Sequence, residues 1–349
     1  MTRKALVNTE ELGRAVKRRR EELELSLRDL ANKTGVSAST LSRIENGTGK
    51  PDADNIARLT KWLDVPMERI LGGNPADSEV PDLARRYLGV ARSRTGTAIL
   101  PRMIVERTEN PQWLSNAYLV ADEAGGTGVL IDGNDDLGPL LERAERDGIE
   151  ITHVLVTHPH LDHVAGLAEA REKLGGVPMV AHAEAAAEMD EEVGQTIGDG
   201  EKLNIGGLEI EAISTPGHAA GHVAFLVDGT DLFTADVLFK GTVGGTMAPG
   251  ASGFADLRAS VMRLMELPAE TVVHPGHRES TTIGAELAGN PFVRIWRGEE
   301  ETGAEDVTVW GRAATLKLWA PDYDGGNKAW IVFADDGTEA IVGGSQVER

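Results

Sequence analysis

The chain has no cysteine among its 349 residues. That absence removes disulfides, thiolate nucleophiles and Cys-type zinc sites together, so any metal must be held by histidine and carboxylate. There is also no apolar run approaching the roughly 20 residues needed to cross a bilayer. The opening Met1-Thr2-Arg3-Lys4 leads into a charged segment instead of the apolar core of a signal peptide. The expectation is a cytoplasmic protein with no membrane partner. Positive charge is scarce as well: the net charge is −21, a balance that argues against nucleic acid. The deficit is uneven, however. Residues 1–75 carry 14 Lys+Arg against 11 Asp+Glu, and the rest of the chain carries 21 against 45. Only the N-terminal segment can therefore approach a phosphate backbone without strong repulsion.

The length exceeds one core of ordinary size, and the pattern divides it into four parts. Residues 1–73 read as helical. Residues 74–97 read as a linker and connecting helix, because Gly72 to Asp82 is a Gly/Pro/Asp stretch with no apolar period. Residues 98–297 alternate strands and amphipathic helices, which implies sheets covered by helices. Residues 298–349 follow a Glu-rich linker and show four alternating strands near 307–310, 315–319, 329–334 and 339–342, a small antiparallel appendage in which Asp335-Asp336-Gly337 makes a hairpin turn.

In the first part, Ser26-Leu27-Arg28-Asp29 has capping-box spacing and opens a helix that stops near Gly35. Ser37 caps a second helix, Ala38 to Asn46, with Leu41 and Ile44 turned inward. Two short helices joined by a Gly-containing turn make a helix-turn-helix unit. With its Ser-Leu-Arg-Asp-Leu-Ala, Gly-Val-Ser and Thr-Leu-Ser-Arg-Ile-Glu-Asn-Gly segments, the stretch Leu25–Leu71 resembles the Cro and phage-repressor family of DNA-binding domains. That resemblance implies double-stranded DNA as partner and a homodimer on two half-sites. It places Ser37, Ala38, Ser39 and Arg43 toward the major groove, with Asn46 and Lys50 at phosphates. Arg43 is the best candidate for a base contact, since its fork pairs with guanine.

In the third part, a buried strand over His153 to Thr157 runs into Thr157-His158-Pro159-His160-Leu161-Asp162-His163, three imidazoles and a carboxylate within six positions. Further on, His218, Asp236 and His277 each follow a strand. Clustered His and Asp at strand ends lie where a rigid scaffold holds loops in place. The order H-x-H-x-D-H, then His, Asp and His, resembles the metallo-β-lactamase superfamily, an αββα sandwich that binds two metals between its sheets. By that resemblance His158, His160 and His218 hold one ion, Asp162, His163 and His277 the other, and Asp236 bridges. Asp162 also orients the attacking water.

A finer likeness, in Asp236-Val237-Leu238-Phe239, Pro275-Gly276-His277 and Asn290-Pro291-Phe292, is to glyoxalase II-like hydrolases, though Gly245-Thr246-Met247 and Arg278-Glu279 depart from their pattern. The implied reaction is metal-assisted hydrolysis of a small-molecule ester, thioester or lactone. Zinc is the first choice for the two divalent ions, and iron or manganese also suit mixed imidazole and carboxylate ligands. Two other readings stand beside it: a transcriptional regulator whose hydrolase fold senses a ligand with little turnover, and a mononuclear iron enzyme like the persulfide dioxygenases. Lys240, four residues after Asp236, is a candidate for facing an anionic substrate. His153, His182 and His274 read as packing residues, and His222 as a support behind the ligands.

Overall fold

The computed structural model describes residues 16, 17, 20, 25–34, 36–45, 59 and 103–349. The chain divides into a unit within residues 1–101 and another over 102–349. The linker and connecting helix expected over 74–97, and the first residues of the part expected from 98, lie outside the described residues.

In the first unit, helices Leu27–Thr34 and Ala38–Glu45 pack through Leu30, Leu41 and Ile44, which join Val16, Val36 and Leu59 in one buried cluster. The second helix starts where expected, since Ser37 Oγ accepts the Thr40 N–H at 3.2 Å. Arg20, itself helical, donates two bonds to Glu45, at 2.7 and 2.8 Å, and so is tied to this helix.

The layers of the second unit follow from alternation along its strands. Every residue of Asn116–Ala121 (β2) is buried. Tyr118 and Val120 belong to one core and Ala117, Leu119 and Ala121 to another, as a period of two requires. Val223–Val227 (β9) repeats this: Val223, Phe225 and Val227 share the core of Tyr118, while Ala224 and Leu226 enter a third. Strands buried on both faces belong inside a stack of layers.

One sheet runs β1 (Ile104–Glu109), β2, β3 (Thr127–Ile131), β4 (Glu150–Leu155), β5 (Met179–Ala181) and β6 (Gln195–Thr196). The other runs β14 (Thr281–Thr282), β13 (Val272–Pro275), β10 (Asp231–Ala235), β9, β8 (Leu208–Ser214) and β7 (Lys202–Ile205). Helices Gly138–Asp147 and Leu167–Lys173 cover the first sheet through Leu140, Ala144, Leu167 and Ala170. Helices Phe254–Leu264 and Pro291–Trp296 cover the second through Leu257, Val261, Phe292 and Val293. Leu161–Val164 and Leu167–Lys173 are separate helices, broken where the Gly166 N–H turns to the Gly133 carbonyl at 2.9 Å. Among the described residues no helix is long and apolar enough to cross a membrane.

The four C-terminal strands are β15 (Glu305–Val309), β16 (Arg312–Pro321), β17 (Asn327–Phe333) and β18 (Glu339–Gly343), and a fifth, β19 (Val347–Glu348), pairs with β15. Val309, Leu316, Ile331 and Phe333 form a core of their own. Ala320, Trp330 and Ile341, by contrast, are buried in the core beneath the second sheet, where Trp330 stacks on Phe254 at 5.1 Å. Thr246 seals the junction: its N–H donates to the Ile341 carbonyl at 3.0 Å, and its hydroxyl accepts the Ile341 N–H at 2.8 Å.

Candidate metal centre

The chain ends of β4, β8, β10 and β13 deliver the expected residues to one place. Beyond β4 the backbone turns into helix Leu161–Val164, which carries Asp162 and His163 in its single turn with His160 at its N-terminal cap. His218 follows β8, Asp236 follows β10, and His277 follows β13. Two groups form, His158 with His160 and His218, and Asp162 with His163, Asp236 and His277. Within each group one ligand atom per residue lies within 4.8 Å of the others. Asp236 stands between the groups: its carboxylate is 3.2 Å from His163 Nε2, 3.3 Å from His277 Nε2 and 3.4 Å from His218 Nε2.

The direction of the imidazoles is fixed from behind. Asp132, at the end of β3, accepts from Thr157 N–H at 2.9 Å and from Thr157 Oγ1 at 2.8 Å, and it takes His163 Nδ1–H at 2.9 Å. Because Thr157 spends its proton on Asp132, its oxygen accepts from His158 Nδ1–H at 3.0 Å. His218 Nδ1–H donates to the Gly245 carbonyl at 2.8 Å, and His160 Nε2–H to the Pro249 carbonyl at 3.1 Å. Each outer nitrogen thus carries a proton, which leaves the inner nitrogen of every neutral ring to present a lone pair.

Those inner atoms converge without partners. Among the described residues His158 Nε2, His163 Nε2, His277 Nε2 and Asp236 Oδ1 are buried with no hydrogen-bond partner, and His160 Nδ1 lies 2.9 Å from His218 Nε2 while the other nitrogen of each ring points at a carbonyl. Buried acceptors facing one another are costly unless a cation lies among them. The residues present therefore fit divalent metal.

For His158 and His218 the charge states agree with this. Burial pushes the His158 imidazole well below the ordinary histidine range and that of His218 down to about 4, so both stay neutral and able to ligate. Burial also disfavours a charged His163, but the Asp236 and Asp132 carboxylates outweigh it and hold its pKa well above the usual value. Asp236 is held well below the carboxylate range by His277 and His163 in spite of its burial.

Other expectations fare variously. Lys240 is exposed and paired with Glu279 at 2.9 Å, on the rim of a cleft of about 240 Å³ that is also lined by Phe239, His277, Arg278 and Tyr323. His222 stacks behind His158 at 5.0 Å and bonds Thr215 Oγ1 through Nδ1 at 2.8 Å. His274 bonds Asp231 and Ser280, and His153 bonds Thr152, as packing residues do. Ser37 and Arg43 are exposed around helix Ala38–Glu45. Ala38 and Ser39 lie in that helix but their side chains are outside the described residues, as are Asn46 and Lys50.

Sequence reasoning missed three contributors. Asp132 carries the same signal as the ligands, a carboxylate at a strand end. Asn116 locks the His277 turn, its Nδ2 donating to the Pro275 carbonyl at 2.9 Å and the Arg278 carbonyl at 2.8 Å. Tyr323 comes from the loop between β16 and β17 and stacks on His277.

Residues 110–277 match the metallo-beta-lactamase superfamily. An uncharacterized protein of Mycobacterium leprae is 35% identical over 202 residues, which cover 51% of this chain and 93% of that one. The chain belongs to the metallo-beta-lactamase superfamily. Within this superfamily, a hydroxyacylglutathione hydrolase of Rhizobium meliloti is 35% identical over 172 residues, 49% of this chain and 64% of the relative. The crystal structure of BLEG-1 B3 metallo-beta-lactamase superposes with a TM-score of 0.50 at 25% identity, covering 54% of this chain and 99% of the other. Residues 16–70 match a helix-turn-helix family, so a superfamily domain and a helix-turn-helix share one chain.

Proposed function

We propose that this chain is a two-metal hydrolase of thioesters, lactones or related esters, joined to a sequence-specific DNA-binding domain that regulates transcription. The observation that carries the hydrolase reading is the convergence of buried, partnerless imidazole nitrogens and carboxylate oxygens. His158, His160 and His218 would hold one ion, Asp162, His163 and His277 the other, and Asp236 both. Zinc suits this set, as do iron and manganese. Bound divalent ions lower the pKa of water to near 7 and polarise a carbonyl oxygen.

Asp162 is the candidate for handling the attacking water. Its side chain is 27% exposed, against 9% for Asp236, and its Oδ2 lies 3.5 Å from His277 Nε2 and 3.6 Å from His163 Nε2. It can therefore reach both the second group and the solvent side. The thioester reading draws support from the hydroxyacylglutathione hydrolase relative. The test is hydrolysis of a thioester and lactone panel by wild type and Asp162→Asn. Loss of a positioned proton acceptor is expected to slow turnover by about a hundredfold or more; equal rates would take Asp162 out of the chemistry, and no turnover by wild type would favour a ligand sensor.

DNA binding rests on the helix-turn-helix match and on the exposed Ser37 and Arg43. Asn46 and Lys50 are proposed phosphate contacts, Ala38 and Ser39 proposed groove residues, and a homodimer the form that binds two half-sites.

A further inference from the structure

Four of the five ligand histidines are aimed by a hydrogen bond on the ring nitrogen remote from the centre: His158 by Thr157, His160 by Pro249, His163 by Asp132 and His218 by Gly245. His277 is the exception. Its Nδ1 is buried and has no hydrogen-bond partner among the described residues, while its Nε2 faces Asp236 and Asp162. The ring is held by aromatic contact instead. Tyr323 lies parallel to it at 4.3 Å and 16°, and Phe239 meets it edge-on at 5.6 Å and 72°. Phe239 and Tyr323 also touch each other, with centroids 4.9 Å apart.

We propose that Tyr323 is a positioning residue of the metal centre, fixing the His277 ring by stacking where the other four ligands use hydrogen bonds. This rests on the two-metal reading above and makes the C-terminal sheet a working part of the hydrolase. The loop that carries Tyr323 is anchored on both sides. Arg278 Nε donates to the Tyr323 carbonyl at 3.1 Å, and Asp322 forms a nearly buried ion pair with Lys328 at 2.9 Å. Aromatic stacking and a net hydrogen bond contribute comparable stabilisation, so one device can replace the other. The substitution leaves a signature: ring orientation depends on a planar neighbour and not on a polar one.

The test is stepwise metal binding by the full chain, with zinc affinity measured by chelator competition and the visible spectrum recorded on cobalt-loaded protein. Tyr323→Phe keeps the stack and is expected to bind both ions like wild type, with an unchanged spectrum. Tyr323→Leu and Tyr323→Met remove it. Each is expected to lose about 10- to 100-fold in affinity for one ion only, with an altered cobalt spectrum. Wild-type affinities in both non-planar variants overturn the proposal, as does a Phe variant as weak as the Leu one. Equal loss of both ions in the Leu and Met variants also overturns it, since that reports a loosened fold. A wild type that binds no divalent ion removes the two-metal reading and this proposal together, whereas two ions in wild type and an unaffected Leu variant remove only the role of Tyr323.

Discussion

Asp132 supports both ligand groups from behind. It takes the protons of Thr157 and His163, and through Thr157 it fixes His158, so one carboxylate sets the tautomer of one histidine in each ligand group. Both of its oxygens are already engaged, which argues for an orienting role, although it lies close enough to His158 and His163 to be grouped with them. Asp132→Ala is expected to lower metal affinity by about 10- to 100-fold, measurable by chelator competition, with both groups weakened. An unchanged affinity would mean that packing alone aims His158 and His163. The turn that carries His277 is equally constrained. A Cβ added at Gly276 would sit 2.2 Å from Asp236 Oδ1 and 2.9 Å from His163 Cε1, so only glycine lets the backbone pass this close to the bridging carboxylate.

The elements differ in how far they can be read from the chain. Helix Ala38–Glu45 is legible because its cap, its apolar pair Leu41 and Ile44 and its length are all local. Its exposed Arg43 makes a direct prediction: Arg43→Ala costs about 1–3 kcal/mol of operator binding in a gel-shift titration, and an unaltered shift would take this residue out of base recognition. The metal loop is legible for a similar reason, since four candidate ligands fall within six residues at a strand end. The strands beyond Arg297 show in the alternation of Val307, Val309, Leu316 and Ile331, but their destination does not. Burial of Trp330 and Ile341 against Phe254, and delivery of Tyr323 to His277, depend on packing between segments far apart in the chain. No periodicity encodes that.

At the scale of the whole molecule, charge and chemistry are divided between the same segments. The segment with a slight basic excess contains the helix-turn-helix match, and the strongly acidic remainder contains the metal centre. Under the proposed function the acidic remainder repels DNA and affinity comes only from the helix-turn-helix segment, so binding should depend on residues 16–70 and weaken with salt. The C-terminal sheet belongs with the superfamily domain: residues 102–349 form one unit, and its loop brings Tyr323 onto His277. The measurement that bears most directly on the central claim is metal content per chain, by elemental mass spectrometry on protein purified without added metal. The account predicts close to two divalent ions per chain, whereas a single iron or no bound metal would contradict it.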